Sequence, residues 1–100
     1  MITEEQVNKL DSSWDFDEGF FGKLRQGVFD DKLCDEFISL LYSIFIDDES
    51  IPKHVVRLLW YIPLFMEWQK ERVLANVSLV KYNLNKTEIE NQLERILGIP

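Results

Sequence analysis

Apolar residues recur along this chain at three- and four-residue intervals almost from end to end, the spacing that gathers side chains on one face of an α-helix. The clearest run is Leu33, Phe37, Leu40, Leu41, Ile44 and Phe45, at i, i+4, i+7, i+8, i+11 and i+12, which predicts an amphipathic helix starting at Asp30 and Asp31. Asp35, Glu36, Ser39 and Ser43 fall largely on its other side. Upstream, Thr3 with Gln6 reads as a capping box for a short first helix that buries Val7 and Leu10 and ends near Asp11. Phe20, Phe21 and Leu24 share a face of a second short helix, with Asp15 or Ser13 as candidate cap. Gly27 is its left-handed terminator after Gln26.

Beyond the acidic loop Asp47-Asp48-Glu49-Ser50, Pro52 suits the first turn of a fourth helix, whose N-terminus those acids favour. From Val55 to Met66 only Arg57 is charged, so this stretch is expected to run through the centre of the core, kinked or split by Pro63. The helical pattern continues from Leu64 to Tyr82, with Phe65, Trp68, Ala75, Leu79 and Tyr82 roughly heptad-spaced; a strand from Val77 to Leu84 is the lesser alternative. Trp60, Tyr61, Phe65 and Trp68 are read as core side chains. Thr87 with Glu90 forms a second capping box, opening a last helix that buries Ile89, Leu93, Ile96 and Leu97 and stops at Gly98 and Pro100. The expected architecture is all-α, a single compact domain over residues 1–100 with five or six helices around a central apolar helix. The hairpin dipeptides Asn-Gly, Asp-Gly and Gly-Gly are absent.

Composition agrees with one globular unit: 100 residues, 46% apolar and 29% charged. Area scaling for that mass leaves roughly 6,000 Å² exposed after folding. Charge changes the picture more. Eleven bases and eighteen acids give a net −7. Residues 1–50 hold thirteen acids and four bases, whereas residues 51–100 hold five acids and seven bases. Such a surface repels nucleic acid and anionic lipid and favours a basic partner. The longest stretch free of Asp, Glu, Lys and Arg is Phe37 to Ile46, about half of what a membrane-spanning helix requires. With Glu4 and Glu5 where a secretory signal carries bases, and Cys34 as the sole cysteine, a cytoplasmic protein without an internal disulfide is expected.

Candidate chemistry is sparse. His54 with Cys34, Ser12, Ser13 or Ser50 makes no recognisable nucleophile signature, and Cys34 is expected to be a small buried apolar group. Asp15-Phe16-Asp17-Glu18-Gly19 spaces its acids as a calcium loop does. Counted from Asp15, however, the glycine is at position five and Gln26 at position twelve, where the loop needs glycine at six and a bidentate acid at twelve. No catalytic residue, metal or cofactor is expected. What remains is an acidic surface, with Trp14 and Phe16 set among its carboxylates. Tryptophan is enriched as an interface anchor, and a negative field speeds encounter with a positive partner. The competing reading makes Trp14 and Phe16 core residues.

The segment from Trp14 to Asp30, Trp14-Asp15-Phe16-Asp17-Glu18-Gly19-Phe20-Phe21-Gly22-Lys23-Leu24-Arg25-Gln26-Gly27-Val28-Phe29-Asp30, is followed by Phe37, Leu40 and Leu41. Together they resemble the small immunity proteins of bacterial contact-dependent growth inhibition and related polymorphic toxin systems. The likeness covers roughly residues 14–66. It implies a cytosolic antidote that binds a cognate toxin domain, often a basic nuclease, and covers its active site or substrate path. The residues expected at that contact are Asp15, Asp17, Glu18, Asp30, Asp31, Asp35, Asp47, Asp48 and Glu49, with Trp14 as anchor. If the third or fourth helix makes the interface instead, exposed Ile38 and Tyr42 matter more. The alternative is a structural or regulatory interaction module without a toxin partner, either a helical adaptor or a subunit that homodimerises through Val55 to Met66.

Overall fold

The computed structural model describes residues 2–100, and among them six helices and no strand. These are α1 (Glu4–Ser12), α2 (Phe20–Arg25), α3 (Asp31–Ser43), α4 (Lys53–Trp60), α5 (Ile62–Val73) and α6 (Leu79–Leu97). Their ends are set by short-range hydrogen bonds. Thr3 Oγ1 accepts from the Gln6 N–H at 3.1 Å and Gln6 Oε1 accepts from the Thr3 N–H at 2.9 Å, completing the capping box of α1. Asp30 caps α3 by accepting from the Leu33 N–H at 3.0 Å, and Ser78 caps α6 by accepting from the Lys81 N–H at 3.1 Å. Gly27 and Gly98, with φ of 81° and 91°, follow the ends of α2 and α6 in the left-handed region that glycine occupies without strain.

Helix α2 begins later than expected, with Gly19 at its N-cap instead of Asp15 or Ser13. The Asp15 carboxylate closes the preceding turn by accepting from the N–H groups of Asp17 and Glu18, at 3.2 and 2.9 Å. The Ser13 carbonyl accepts from the Phe21 N–H at 2.9 Å. The cause is steric: a Cβ at Gly19 or Gly22 would collide with the backbone of Ser12 and Ser13, or of Asp15 and Phe16, so the turn lies directly beneath the helix. On α3 the buried face is Cys34, Phe37, Ile38 and Leu41, with Leu33 and Leu40 only half-buried. Ile38 is therefore a core residue, 9% exposed, whereas Phe45 is 62% exposed and lies beyond the helix. Arg95 of α6 explains the early stop, because its guanidinium donates to the carbonyls of Leu41 and Ile44 at 2.8 and 2.9 Å. A cation there also complements the helix C-terminus.

Val55 to Met66 is not one central helix. Pro63 has no N–H to return to the preceding turn, so α4 ends at Trp60 and α5 restarts at Ile62. Both helices are one-sided. Val55, Leu58, Leu59, Ile62, Phe65 and Met66 are buried, while Trp60, Leu64 and Trp68 face solvent at 53%, 46% and 62% exposure. Two of the four aromatics read as core are thus surface residues, and Tyr61 is half-buried. The helical run also breaks between Val73 and Leu79. Asn76 there donates to the Gly27 carbonyl at 2.9 Å and accepts from the Phe29 N–H at 3.3 Å, tying the α5–α6 connection to the α2–α3 connection. Thr87 and Glu90 lie inside unbroken α6, so no second capping box forms, and the stretch from Leu79 to Leu84 is helix.

The core is aromatic at its centre. Phe21 meets Trp14, Phe37, Phe20 and Phe65 with ring centroids at 4.5, 4.9, 5.0 and 5.9 Å. Buried Tyr82 closes the α6 side, its hydroxyl donating to the Met66 carbonyl at 2.8 Å. The folded surface is 6260 Å², close to what mass scaling requires. Gly22→Ala is expected to destabilise the fold by about 2 kcal/mol or more, since the added methyl meets backbone that can move only with α2. Urea denaturation measures this directly, and a loss below about 0.5 kcal/mol would show a turn free to relax.

Candidate functional site

A large concavity lies between α1 and α3. Gln6, near the start of α1, donates through Nε2 to the carbonyl and hydroxyl oxygens of Ser43 at the end of α3, at 3.0 and 3.2 Å. The two helices run in opposite senses, and a groove of about 1190 Å³ opens along them. Its floor is apolar, formed by Phe20, Leu33, Phe37 and Leu40. Its rim carries Glu5, Glu18, Asp31, Asp35 and Glu36 against Lys9 and Lys32, with small polar side chains between them. An apolar floor edged by more acids than bases suits the insertion of an apolar side chain flanked by basic ones, the arrangement of a helix-in-groove contact.

Of the residues expected at the contact, Glu18, Asp31 and Asp35 meet at this groove. Asp31 is also paired with Lys81 of α6. Asp30 is half-buried beside it, engaged as the α3 cap and 3.6 Å from Lys23 Nζ. Asp17 is exposed, whereas the Asp15 carboxylate is held by its own turn. Asp47, Asp48 and Glu49 are exposed in the segment joining α3 to α4. The length of α3, roughly 18 Å at 1.5 Å per residue, separates them from Asp31. Trp14 takes the core role: it stacks on Phe21, meets Phe65 edge-on at 5.0 Å, and donates through Nε1 to the Leu58 carbonyl at 3.1 Å. Phe16, by contrast, is exposed. Tyr42 is half-exposed and donates to the Glu88 carboxylate at 2.7 Å.

Two rim residues lay outside the expected set, Glu5 and Glu36. Glu36 follows Asp35 on the outer side of α3 and was legible as an acid, but only the pairing of α1 with α3 brings Glu5 to it. His54 Nε2 lies 2.9 Å from the Asp11 carboxylate, so these two residues join the start of α4 to the end of α1. Burial, reinforced by the Asp35 and Asp31 carboxylates, pushes the Cys34 thiol up to about 12, which keeps it protonated at neutral pH. Among the described residues no three His, Cys, Asp or Glu side chains converge as a metal site requires. No helix there is long and apolar enough to cross a membrane.

Compared with protein-family models, with curated proteins and with solved structures, the chain matches none at a significant level.

The hydrogen bond from the Leu33 N–H, aided by the nearby Lys23 ammonium, holds the Asp30 carboxyl below the usual carboxylate value. A depressed folded value means that this stabilisation is complete above the ordinary carboxylate range and is lost as the pH falls through the folded value. Asp30→Ala should therefore cost about 1 kcal/mol near neutrality, while Asp30→Asn keeps most of the cap. Urea midpoints at neutral and at strongly acidic pH check this: the Asp30→Ala deficit must shrink on acidification, and a pH-independent deficit would contradict the assignment.

Proposed function

We propose that this protein is an immunity-type inhibitor that binds a basic partner domain, in the manner implied by its resemblance to the antidotes of polymorphic toxin systems, and that the α1–α3 groove is the contact. The observation that carries the reading is the acidic rim around an apolar floor, on the half of the chain that holds thirteen of eighteen acids. In this mechanism Glu18, Asp35 and Glu36 stand opposite lysines and arginines that the partner otherwise offers to nucleic-acid phosphates. An apolar side chain of the partner enters between Leu33, Phe37 and Leu40. Burial of that side chain slows release, and the wider negative field, including Asp47, Asp48 and Glu49, hastens encounter. Covering a basic substrate path in this way inhibits without any chemistry on the inhibitor's side.

Affinity capture from source cells, at low and at high salt, tests this with two triple variants checked for retained helicity. Glu18→Gln with Asp35→Asn and Glu36→Gln should weaken capture of one basic protein at least tenfold and flatten its salt dependence. Asp47→Asn with Asp48→Asn and Glu49→Gln should slow association a few-fold and leave dissociation unchanged. Undiminished capture by the first variant would refute the groove as the contact. A second reading, a self-associating module, is favoured by the exposed row of Trp60, Leu64 and Trp68, one helical turn apart along α4 and α5. In that case sedimentation equilibrium gives a mass that rises with concentration and returns to one chain in Trp60→Ser with Leu64→Ser.

A further inference from the structure

A smaller cleft, beside α5 at the end of α2, has a charge opposite to that of the molecule as a whole. It measures about 310 Å³ and is lined by Arg25, Tyr61, Phe65, Trp68, Gln69 and Arg72, two guanidinium groups and no carboxylate. None of these residues lines the α1–α3 groove. In a chain of net −7, among the described residues neither arginine has a carboxylate within ion-pair reach. Both are nevertheless held in place. Arg25 lies over the Phe65 ring at 5.1 Å, and Arg72 donates to the Arg25 carbonyl at 3.2 Å. Each fork keeps further N–H donors for a ligand.

Gln69 supplies an independent sign. Its Oε1 is shielded from solvent and accepts no hydrogen bond, a state that native proteins rarely leave in place. Gln69 lines the cleft, and a turn of its side chain brings this oxygen to a donor arriving there. The Tyr61 and Trp68 rings, 5.8 Å apart and nearly perpendicular, add an apolar wall.

We infer that this cleft binds an acidic peptide segment of a partner protein. A side-chain carboxylate sits between Arg25 and Arg72, a backbone N–H bonds Gln69 Oε1 once that side chain turns into the cleft, and a neighbouring apolar side chain packs on Tyr61 and Trp68. A phosphate group fits less well, because Arg25 is the last residue of α2 and the carbonyls gathered at a helix C-terminus repel a dianion more than a single carboxylate. The volume accommodates one side chain with its flanking backbone, at the small end of ligand sites.

Nuclear magnetic resonance titration of the isotope-labelled full chain tests this with the capped peptide Ac-Gly-Asp-Phe-Glu-Gly-NH2, its Asn/Gln analogue and inorganic phosphate as probes. The Trp68 indole N–H, the Gln69 side-chain amide and the Arg72 guanidinium signals should shift saturably, with a Kd on the order of 0.1–1 mM for the acidic peptide. The neutral analogue should bind at least tenfold more weakly. Gln69→Leu and Arg72→Gln should each reduce the affinity at least fivefold, and Gln69→Leu should do so without lowering Tm, since it removes a buried acceptor. Three outcomes overturn the proposal: no saturable shift at these groups, equal binding of the neutral analogue, or unchanged affinity in Gln69→Leu. Phosphate saturating the same signals as tightly as the peptide would overturn the peptide assignment in favour of a simple anion site.

Discussion

The ring of Phe21 is the point on which the fold turns. Its four aromatic neighbours come from the turn after α1, from α2 itself, from α3 and from α5, so a single side chain ties together segments spread over more than fifty residues. Aromatic pairs in edge-to-face and offset arrangements add about 0.5–1.5 kcal/mol each beyond the area they bury, and their geometry is directional. That directionality fixes where α2 lies. The two glycines that flank the Phe20–Phe21 pair then become obligatory, because Gly19 and Gly22 let the helix sit directly on the backbone of the turn before it. Once α2 is seated, α3 and α5 pack on either side of it.

From that arrangement follow two surfaces of opposite character. Helix α1 lies along α3 and leaves between them a groove with an apolar floor and an acidic edge. On α5 a cleft is left with arginines and aromatics and no acid. The charge difference between the halves of the chain thus becomes a difference between surfaces, because α1, α2 and α3 form the groove while α4, α5 and α6 supply most of the bases. The connections between the helices reinforce this polarity. Arg95 is drawn to the carbonyl end of α3, Lys86 sits between Glu67 and Glu90, and Lys81 pairs with Asp31, so all three bases of α6 serve the fold. Among the described residues, Arg25 and Arg72 pair with no carboxylate.

Much of the local structure was legible in the residues because the interactions that fix it span only three or four positions. The Thr3–Gln6 capping box, the Asp30 cap and the left-handed Gly27 and Gly98 are of this kind, and each forms as the spacing requires. The second capping box was a local match that the fold overrode. Thr87 and Glu90 have suitable spacing, yet the helix nucleated at Ser78 passes through them, since an uninterrupted backbone ladder leaves no free N–H groups for a cap to satisfy. Proline gave a sound signal at Pro63, where the missing N–H divides α4 from α5 whatever the surroundings.

The sequence by itself determined the all-helical class, most helix ends, the burial of Cys34 and the concentration of acid in the first half, all of which depend on spacing or on counting. Tertiary structure alone decided which apolar residues stay outside and which acids stand together. Trp60, Leu64 and Trp68 are as apolar as their buried neighbours, and Trp14 is set among acids, but exposure depends on what packs against a residue and not on its own hydropathy. Ile38 and Phe45 exchanged the roles expected of them for the same reason: Arg95, more than fifty residues away, ends α3 at Ser43, and α6 covers one side of that helix. The rim joins Glu5 to Asp35 and Glu36 only because α1 folds back along α3, a long-range pairing that no local pattern encodes.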